Sequence, residues 1–327
     1  MNRRRRPCVF RFEREATTPP NALLGVAESR MLTEQEMAAI RANLFEAAHY
    51  LVEELPVNLW HRDLSGALTA TRPHSSQALA LDVLGTIRVL PSLQAIAAAW
   101  ADHLKLPSFG PVSIQPEFMI ERALLGEPKS TQVDALIRGD AASALFECKF
   151  TERDGGSCSR TAKRELPDGR KVAQCNGSYA PQKNPHSTRR PLTEDSCALT
   201  AKGVRYWEYI PDVLGVRADV VHPACPFAGG AYQWMRNLVA AHALTQSLGR
   251  PHAFVIAYAD GPFAMPRKVK SKAWRKFTAG LAGTVALREV SFQSLIAVAR
   301  HASAPSDTVQ LDRLAQWVEG KVREAAP

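Results

Sequence analysis

Glu147 and Lys149, an acid and a base two residues apart in the apolar segment "ALFECKF", and Asp134, which interrupts the preceding run "VDALI", are types and spacings that could do chemistry. Side chains alternate along a strand, so Leu145, Glu147 and Lys149 share one face and Phe146, Cys148 and Phe150 the other. The apolar face belongs in a core. If "GDAA", Gly139 to Ala142, is a four-residue hairpin loop, the register pairs Arg138 with Ser143 and, counting outwards, Asp134 with Glu147. Directly opposed residues have Cβ atoms about 4.5–5.5 Å apart. Two carboxylates at that distance repel unless a cation sits between them, and Mg²⁺ takes one or two carboxylates plus water and phosphate oxygens. Lys149, on the same face, is placed to contact a water or phosphate at that ion. The pattern suits metal-dependent phosphodiester cleavage. The alternative is an exposed hairpin face bearing ordinary solvated charges.

Elements on both sides must position these residues. In "TEQE" Thr33 offers an N-cap with Glu36 three positions on, and Met37, Ile40, Leu44, Ala47, Ala48 and Leu51 follow at helical spacing, which predicts one helix. "HSSQALALDVLGTIRVL" and "PSLQAIAAAWADHLKL" predict two more, capped by Ser75 or Ser76 and by Ser92. "SIQPEFMIERALLGE" reads as a strand ended by Gly126, "AYQWMRNLVAAHALTQSL" as a helix, "HAFVIAYAD" as a buried strand, "VALREVSF" as a strand and "SDTVQLDRLAQWVEGKVREA" as a final helix. This order makes an α/β sheet domain. Residues 1–30 read as a flexible basic arm, 31–110 as a helical part packing on the core, and 111–327 as the core, with an irregular insertion at about 153–230.

The 327-residue chain is 46% hydrophobic, ample for a folded core, and carries a net charge of +9 from 41 Lys+Arg against 32 Asp+Glu. The excess is clustered, in "NRRRRP", "HSTRRP" and "PRKVKSKAWRKF", which favours a polyanionic partner. No apolar run reaches the roughly 18 residues needed to span a bilayer, and the charges of "CVFRFERE" break a signal-peptide reading, so the chain reads as cytoplasmic.

"VDALI" followed by "ALFECKF" resembles the catalytic core of the PD-(D/E)XK nuclease superfamily, with an acid on one strand and acid-x-Lys on the next. "AYQWMRNLVAA" looks like the helix after that core in members that carry a Gln there. The blocks "HSSQALALDVLG", "CALTAKGVRYWEYIP" and "CPFAGGAYQWMRN" are similar to a bacterial restriction-endonuclease-like branch. The resemblance implies a mixed central sheet flanked by helices and a nuclease that uses Mg²⁺ or Mn²⁺ on nucleic acid, DNA in particular, in restriction or defence. Asp134 and Glu147 would then be metal ligands, Lys149 would orient the attacking water or stabilise charge on the phosphate, and Gln233 would position a substrate or water. A further acid is expected upstream, Glu117 first and Glu121 second. Val133 stands where the name-giving Pro would be, and Gln77 where many relatives place Glu. A non-catalytic nucleic-acid-binding protein on the same fold is the competing reading.

Cys148 falls on the core side of its strand. Cys158, Cys175, Cys197 and Cys225 lie in or beside the insertion. Four soft ligands could anchor a structural Zn²⁺ or an iron-sulfur cluster, which some nucleases of the superfamily hold with four cysteines. Their long gaps, without a C-x-x-C pair, favour independent thiols instead. Lys268, Lys270, Lys272, Arg275 and Lys276 offer phosphate neutralisation around Trp274, itself read as a packing residue, as are the aromatics of "RYWEYIP". "HRD" at His61 has no phosphate loop beside it to support a kinase reading.

Overall fold

The computed structural model describes residues 31–175, 177, 197–217 and 224–326; the arm expected at 1–30, with Cys8, lies outside them, as does "HSTRRP". The described chain begins with a capping box. Thr33 Oγ1 accepts the Glu36 N–H at 3.1 Å and the Glu36 carboxylate accepts the Thr33 N–H at 2.9 Å, satisfying donors that no helical carbonyl reaches. Helix α1 (Glu34–Ala42) then stops at Asn43, short of the single helix its spacing predicts. Asn43 Nδ2 donates to the Ala70 and Arg72 carbonyls, which pulls the chain off the helical path. A single-turn helix at Glu46–Ala48 and α2 (Leu51–Glu54) follow. Ile40, Leu44, Ala48 and Leu51 still meet in one cluster, so the spacing reported burial and not continuity.

Helix α3 (Ser76–Ala80) begins at Ser75, whose hydroxyl accepts the Ala78 N–H, and runs on through a π-helical turn, Leu81–Gly85, into α4 (Thr86–Arg88). Helix α5 (Leu93–His103) follows Ser92, but the Ser92 hydroxyl accepts the Ala304 N–H and caps nothing in its own helix.

Strand β1 (Val112–Ile120) ends earlier than expected, and Gly126, with φ 65°, closes the short helix α6 (Arg122–Leu125) instead. Strands β2 (Thr131–Gly139) and β3 (Ser143–Lys149) form the expected hairpin with Arg138 opposite Ser143. The insertion holds a small hairpin, β4 (Arg164–Glu165) and β5 (Lys171–Val172), then α7 (Ala198–Ala201) and α8 (Tyr206–Leu214). Helix α9 (Tyr232–Leu248) leads to β6 (His252–Tyr258), parallel to β3. After α10 (Ala264–Val269) and α11 (Lys272–Ala279), β7 (Leu287–Ser291) lies parallel to β6. The chain closes with α12 (Phe292–Ala302), which the sequence pattern did not single out, and α13 (Pro305–Ala325).

The result is a mixed five-stranded sheet, order β1-β2-β3-β6-β7, flanked by helices, the restriction-endonuclease-like arrangement. Helices α3 to α5, α12 and α13 cover one face, over Phe146, Cys148, Phe150 and Val255. Helices α6, α8, α9, α10 and α11 cover the other, over Leu145, Phe254 and Ile256. Every residue of β3 is therefore buried. The charges on it do not lie on an exposed hairpin face: Glu147 is 4% exposed and Lys149 5%.

Candidate active site

The site forms where two strands turn over together. Pairing of β1 with β2 runs through Pro116↔Ala135 and Phe118↔Val133 and is interrupted between them, at Glu117 and Asp134. Ile114 packs on one face of the sheet, whereas Phe118 and Ile120, of the same parity, pack on the other; Ala135 and Ile137 likewise lie on the face opposite Val133. Glu117 carries the turnover with φ 52°, a left-handed value rare for a residue with a side chain. Such a conformation costs of order 1–3 kcal/mol. Its effect is to bring Glu117 inside, 1% exposed, while Ser113, Gln115 and Met119 of the same parity stay outside.

Around Glu117 the polar partners come from distant segments. Gln77 Nε2 donates to Oε1 at 2.9 Å and Gln132 Nε2 donates to Oε2. His61 Nε2 stands 3.8 Å from Oε2. Gln77 is fixed in turn by donating to the Leu59 carbonyl at 2.8 Å and accepting the His61 N–H at 3.1 Å. Asp134 lies where the β2–β3 ladder has already ended at Ala135↔Phe146, and its Oδ2 accepts the Cys148 N–H at 2.6 Å. The carboxylate thus takes a strand donor that a β2 carbonyl would otherwise accept.

Glu147 and Lys149 form a buried ion pair, Nζ to Oε1 at 2.7 Å. Helix α9 completes their bonding. Gln233 Oε1 accepts from Lys149 Nζ at 3.0 Å, and one turn on Asn237 Nδ2 donates to Glu147 Oε2 at 2.8 Å, the i,i+4 spacing that puts both amides on one helix face. The Lys149 ammonium also lies 5.6 Å from the centre of the Trp234 ring, within reach of its π face.

These contacts divide the acids. Burial opposes a charge on Glu147, but Lys149, Arg236 and Asn237 together hold it below the usual range. Burial first, then Glu147 and Glu117, push Asp134 well above the ordinary carboxylate range. Burial, with help from Glu147, raises Glu117 to about 7 against the Gln77 and Gln132 hydrogen bonds. Burial also opposes the Lys149 charge, but Glu147, Glu152 and Asp134 outweigh it and hold the ammonium above the usual lysine range. Among the described residues no three His, Cys, Asp or Glu side chains stand in a liganding arrangement. Five oxygens of the cluster are already engaged, two of Glu147 by Lys149 and Asn237, two of Glu117 by Gln77 and Gln132, and one of Asp134 by Cys148.

The structure therefore brings together Asp134, Glu147, Lys149, Gln233 and Glu117. Glu121 is outside the group, exposed at the start of α6. Sequence reasoning missed Asn237, Gln132 and His61. Asn237 had a usable signal, a second amide one turn from Gln233 beside the apolar run 238–241; Gln132 sits two residues before Asp134.

The family model for restriction endonuclease associating with ARP matches residues 25–292. This chain belongs to that family. The match takes in all five strands of the sheet and every residue of the acidic cluster. No curated protein and no solved structure matches the chain. Membership of a restriction-endonuclease family suggests a nuclease and implies nucleic-acid binding. Among the described residues no helix is long and apolar enough to cross a membrane.

The basic segment lies on α10 and α11. Lys270, Lys272, Arg275 and Lys276 are exposed and Lys268 half-buried. Trp274 is buried as expected, its ring 6.2 Å from that of Trp234, so α11 packs one aromatic pair away from Lys149. In "RYWEYIP" Tyr206 is core, stacked on Phe227 at 5.0 Å, with its hydroxyl on Glu127.

Proposed function

We propose that this chain is a Mg²⁺- or Mn²⁺-dependent deoxyribonuclease that hydrolyses DNA phosphodiester bonds, in restriction or defence. The observation that carries the reading is the buried cluster of Glu117, Asp134 and Glu147 around Lys149. Three carboxylates there face too little positive charge for all to ionise. Such an oxygen donor set fits a hard divalent cation. Asp134 and Glu147 would hold it. When bound, the ion supplies Lewis-acid charge at the phosphate and makes water more acidic.

The chain's own groups do the positioning. Lys149 orients the attacking water or meets the charge that develops on the phosphate, a role for a fixed cation in a site shielded from solvent. Gln233 fixes the direction of its ammonium, and Asn237 fixes Glu147. Glu117 stands behind the pair, kept in place by Gln77 and Gln132. Residues 31–110 act as a helical part that packs on the core and supplies Gln77 and His61. The exposed cations of α10 and α11 neutralise the DNA backbone.

The test is cleavage of linear, circular and single-stranded DNA with Mg²⁺, Mn²⁺ or EDTA, wild type against Asp134→Asn. Lys149→Ala is the weaker variant, because it leaves Glu147 buried without its cation, at about 3–5 kcal/mol. Metal-dependent cleavage lost in Asp134→Asn is expected. Cleavage in EDTA, or equal cleavage by the two proteins, overturns the reading; salt-dependent binding without product would leave a binding module.

A further inference from the structure

The four cysteines of the insertion, Cys158, Cys175, Cys197 and Cys225, are free thiols that line a single cavity of about 40 Å³. Their spacing favoured independent thiols, but the backbone draws their segments together. The Ala198 N–H donates to the Gln174 carbonyl at 3.1 Å, which ties the Cys197 segment to that of Cys175. The Cys225 N–H donates to the Gly177 carbonyl at 2.9 Å. Gln174 holds the Cys158 segment, donating from Nε2 to the Ala162 carbonyl at 2.8 Å and accepting from Arg160 Nη1 at 3.4 Å.

The Gly177 N–H donates to Cys175 Sγ at 3.2 Å. Burial pushes the Cys158 and Cys225 thiols above their ordinary range, and the backbone two residues on from each, at Arg160 and Phe227, opposes that shift. Gly177, with φ 80°, makes the tight turn after Cys175. Backbone donors aimed at sulfur favour the thiolate. Four thiolates around one small cavity repel one another, and Arg160, which also lines it, brings a single positive charge. A soft cation at the centre reconciles the donors with the crowding, and four sulfurs suit a tetrahedral ion.

We propose that Cys158, Cys175, Cys197 and Cys225 form a structural tetrathiolate Zn²⁺ site that ties down the insertion between β3 and α9. Binding replaces the four thiol protons, which pass to solvent, and leaves a centre of net charge −2 that the N–H donors and Arg160 offset. The sulfurs line the cavity without standing in liganding geometry, so binding must draw them inward. The insertion meets α9 where the Gln233 N–H donates to the Gly155 carbonyl at 2.7 Å and the Gly155 N–H to the Gly230 carbonyl at 2.8 Å. The site therefore stabilises the segment that begins the helix bearing Gln233 and Asn237.

The full chain, purified under reducing conditions, exposed to ZnCl₂ and freed of loose metal, is analysed for metal content and by X-ray absorption at the zinc edge. About one zinc per chain with four sulfur neighbours at about 2.3 Å is expected. Cys175→Ser and Cys225→Ser should each lower bound zinc roughly tenfold or more, whereas Asp134→Asn should leave it unchanged. Zinc bound by oxygen and nitrogen, zinc unaffected by both serine variants, a loaded protein that retains almost none, or iron with acid-labile sulfide would each overturn the proposal. The wild-type spectrum decides the matter even where a serine variant does not fold, and no readout depends on DNA cleavage.

Discussion

Glu117→Gln should make the protein more stable at alkaline pH and less stable in acid, a change of sign that follows from how the carboxyl is buried. In the folded chain Glu117 keeps its proton up to a pH of about 7, against an ordinary value of 4.5. The folded state therefore binds more protons between those values. This contribution to stability is fully present below pH 4.5 and is lost as pH rises through 7. The rise from 4.5 to about 7 corresponds to about 3 kcal/mol. Gln keeps one acceptor for Gln77, whose Nε2 lies 2.9 Å from Glu117 Oε1. Its amide nitrogen then faces the Gln132 donor, at a cost of about 1 kcal/mol. The variant should thus be about 2 kcal/mol more stable than wild type near pH 8 and about 1 kcal/mol less stable near pH 4.5. Urea unfolding in EDTA, followed by tryptophan fluorescence at several pH values, measures both. With Mg²⁺ in excess the advantage near pH 8 should shrink, because a cation at the cluster favours the charged acid. A stability difference that does not vary with pH, or a variant less stable near pH 8, would refute the account of Glu117 as a strained, destabilised acid.

Three further results are expected. Asn237→Ala leaves Glu147 Oε2 without its 2.8 Å donor in a helix position that is 0% exposed; it should cost about 1–3 kcal/mol in urea unfolding, and cleavage should fall more than DNA binding does. Replacing Lys272, Arg275 and Lys276 together by Ala should lower the slope of log K against log salt by about 3 in DNA-binding titrations, with little change in melting temperature because all three are exposed. Asp134→Asn should abolish metal-dependent cleavage and, in EDTA, raise the melting temperature, since burial first, then Glu147 and Glu117, oppose a charge on Asp134.

What could be read beforehand and what could not divides along range in the sequence. The β2–β3 hairpin was legible because a four-residue loop and strict alternation determine which residues oppose, and Arg138 does face Ser143. The same counting placed Glu147 and Lys149 on one face. It could not say that α9 covers that face, which is what turns two surface charges into a buried pair. Alternation also misleads at Glu117, because a single left-handed residue reverses the faces of everything beyond it. The periodicity from Met37 to Leu51 is real as burial, yet two carbonyls at Ala70 and Arg72, captured by Asn43, break the helix that carries it. The cysteines make the same point from the other side: no short spacing links them, and backbone bonds among Gln174, Gly177, Ala198 and Cys225, with the Gln174 side chain on the Cys158 segment, bring them to one cavity. Each residue missed at the site, His61, Gln132 and Asn237, is held by a partner far along the chain or by a strand that turns over. A chemistry built on strained backbone and imported amides is thus legible at its charged centre and hidden in its supports. The supports are also where Glu117 and Glu147 are kept apart in their readiness to ionise, so substitutions there should alter the pH dependence of stability before they alter the fold.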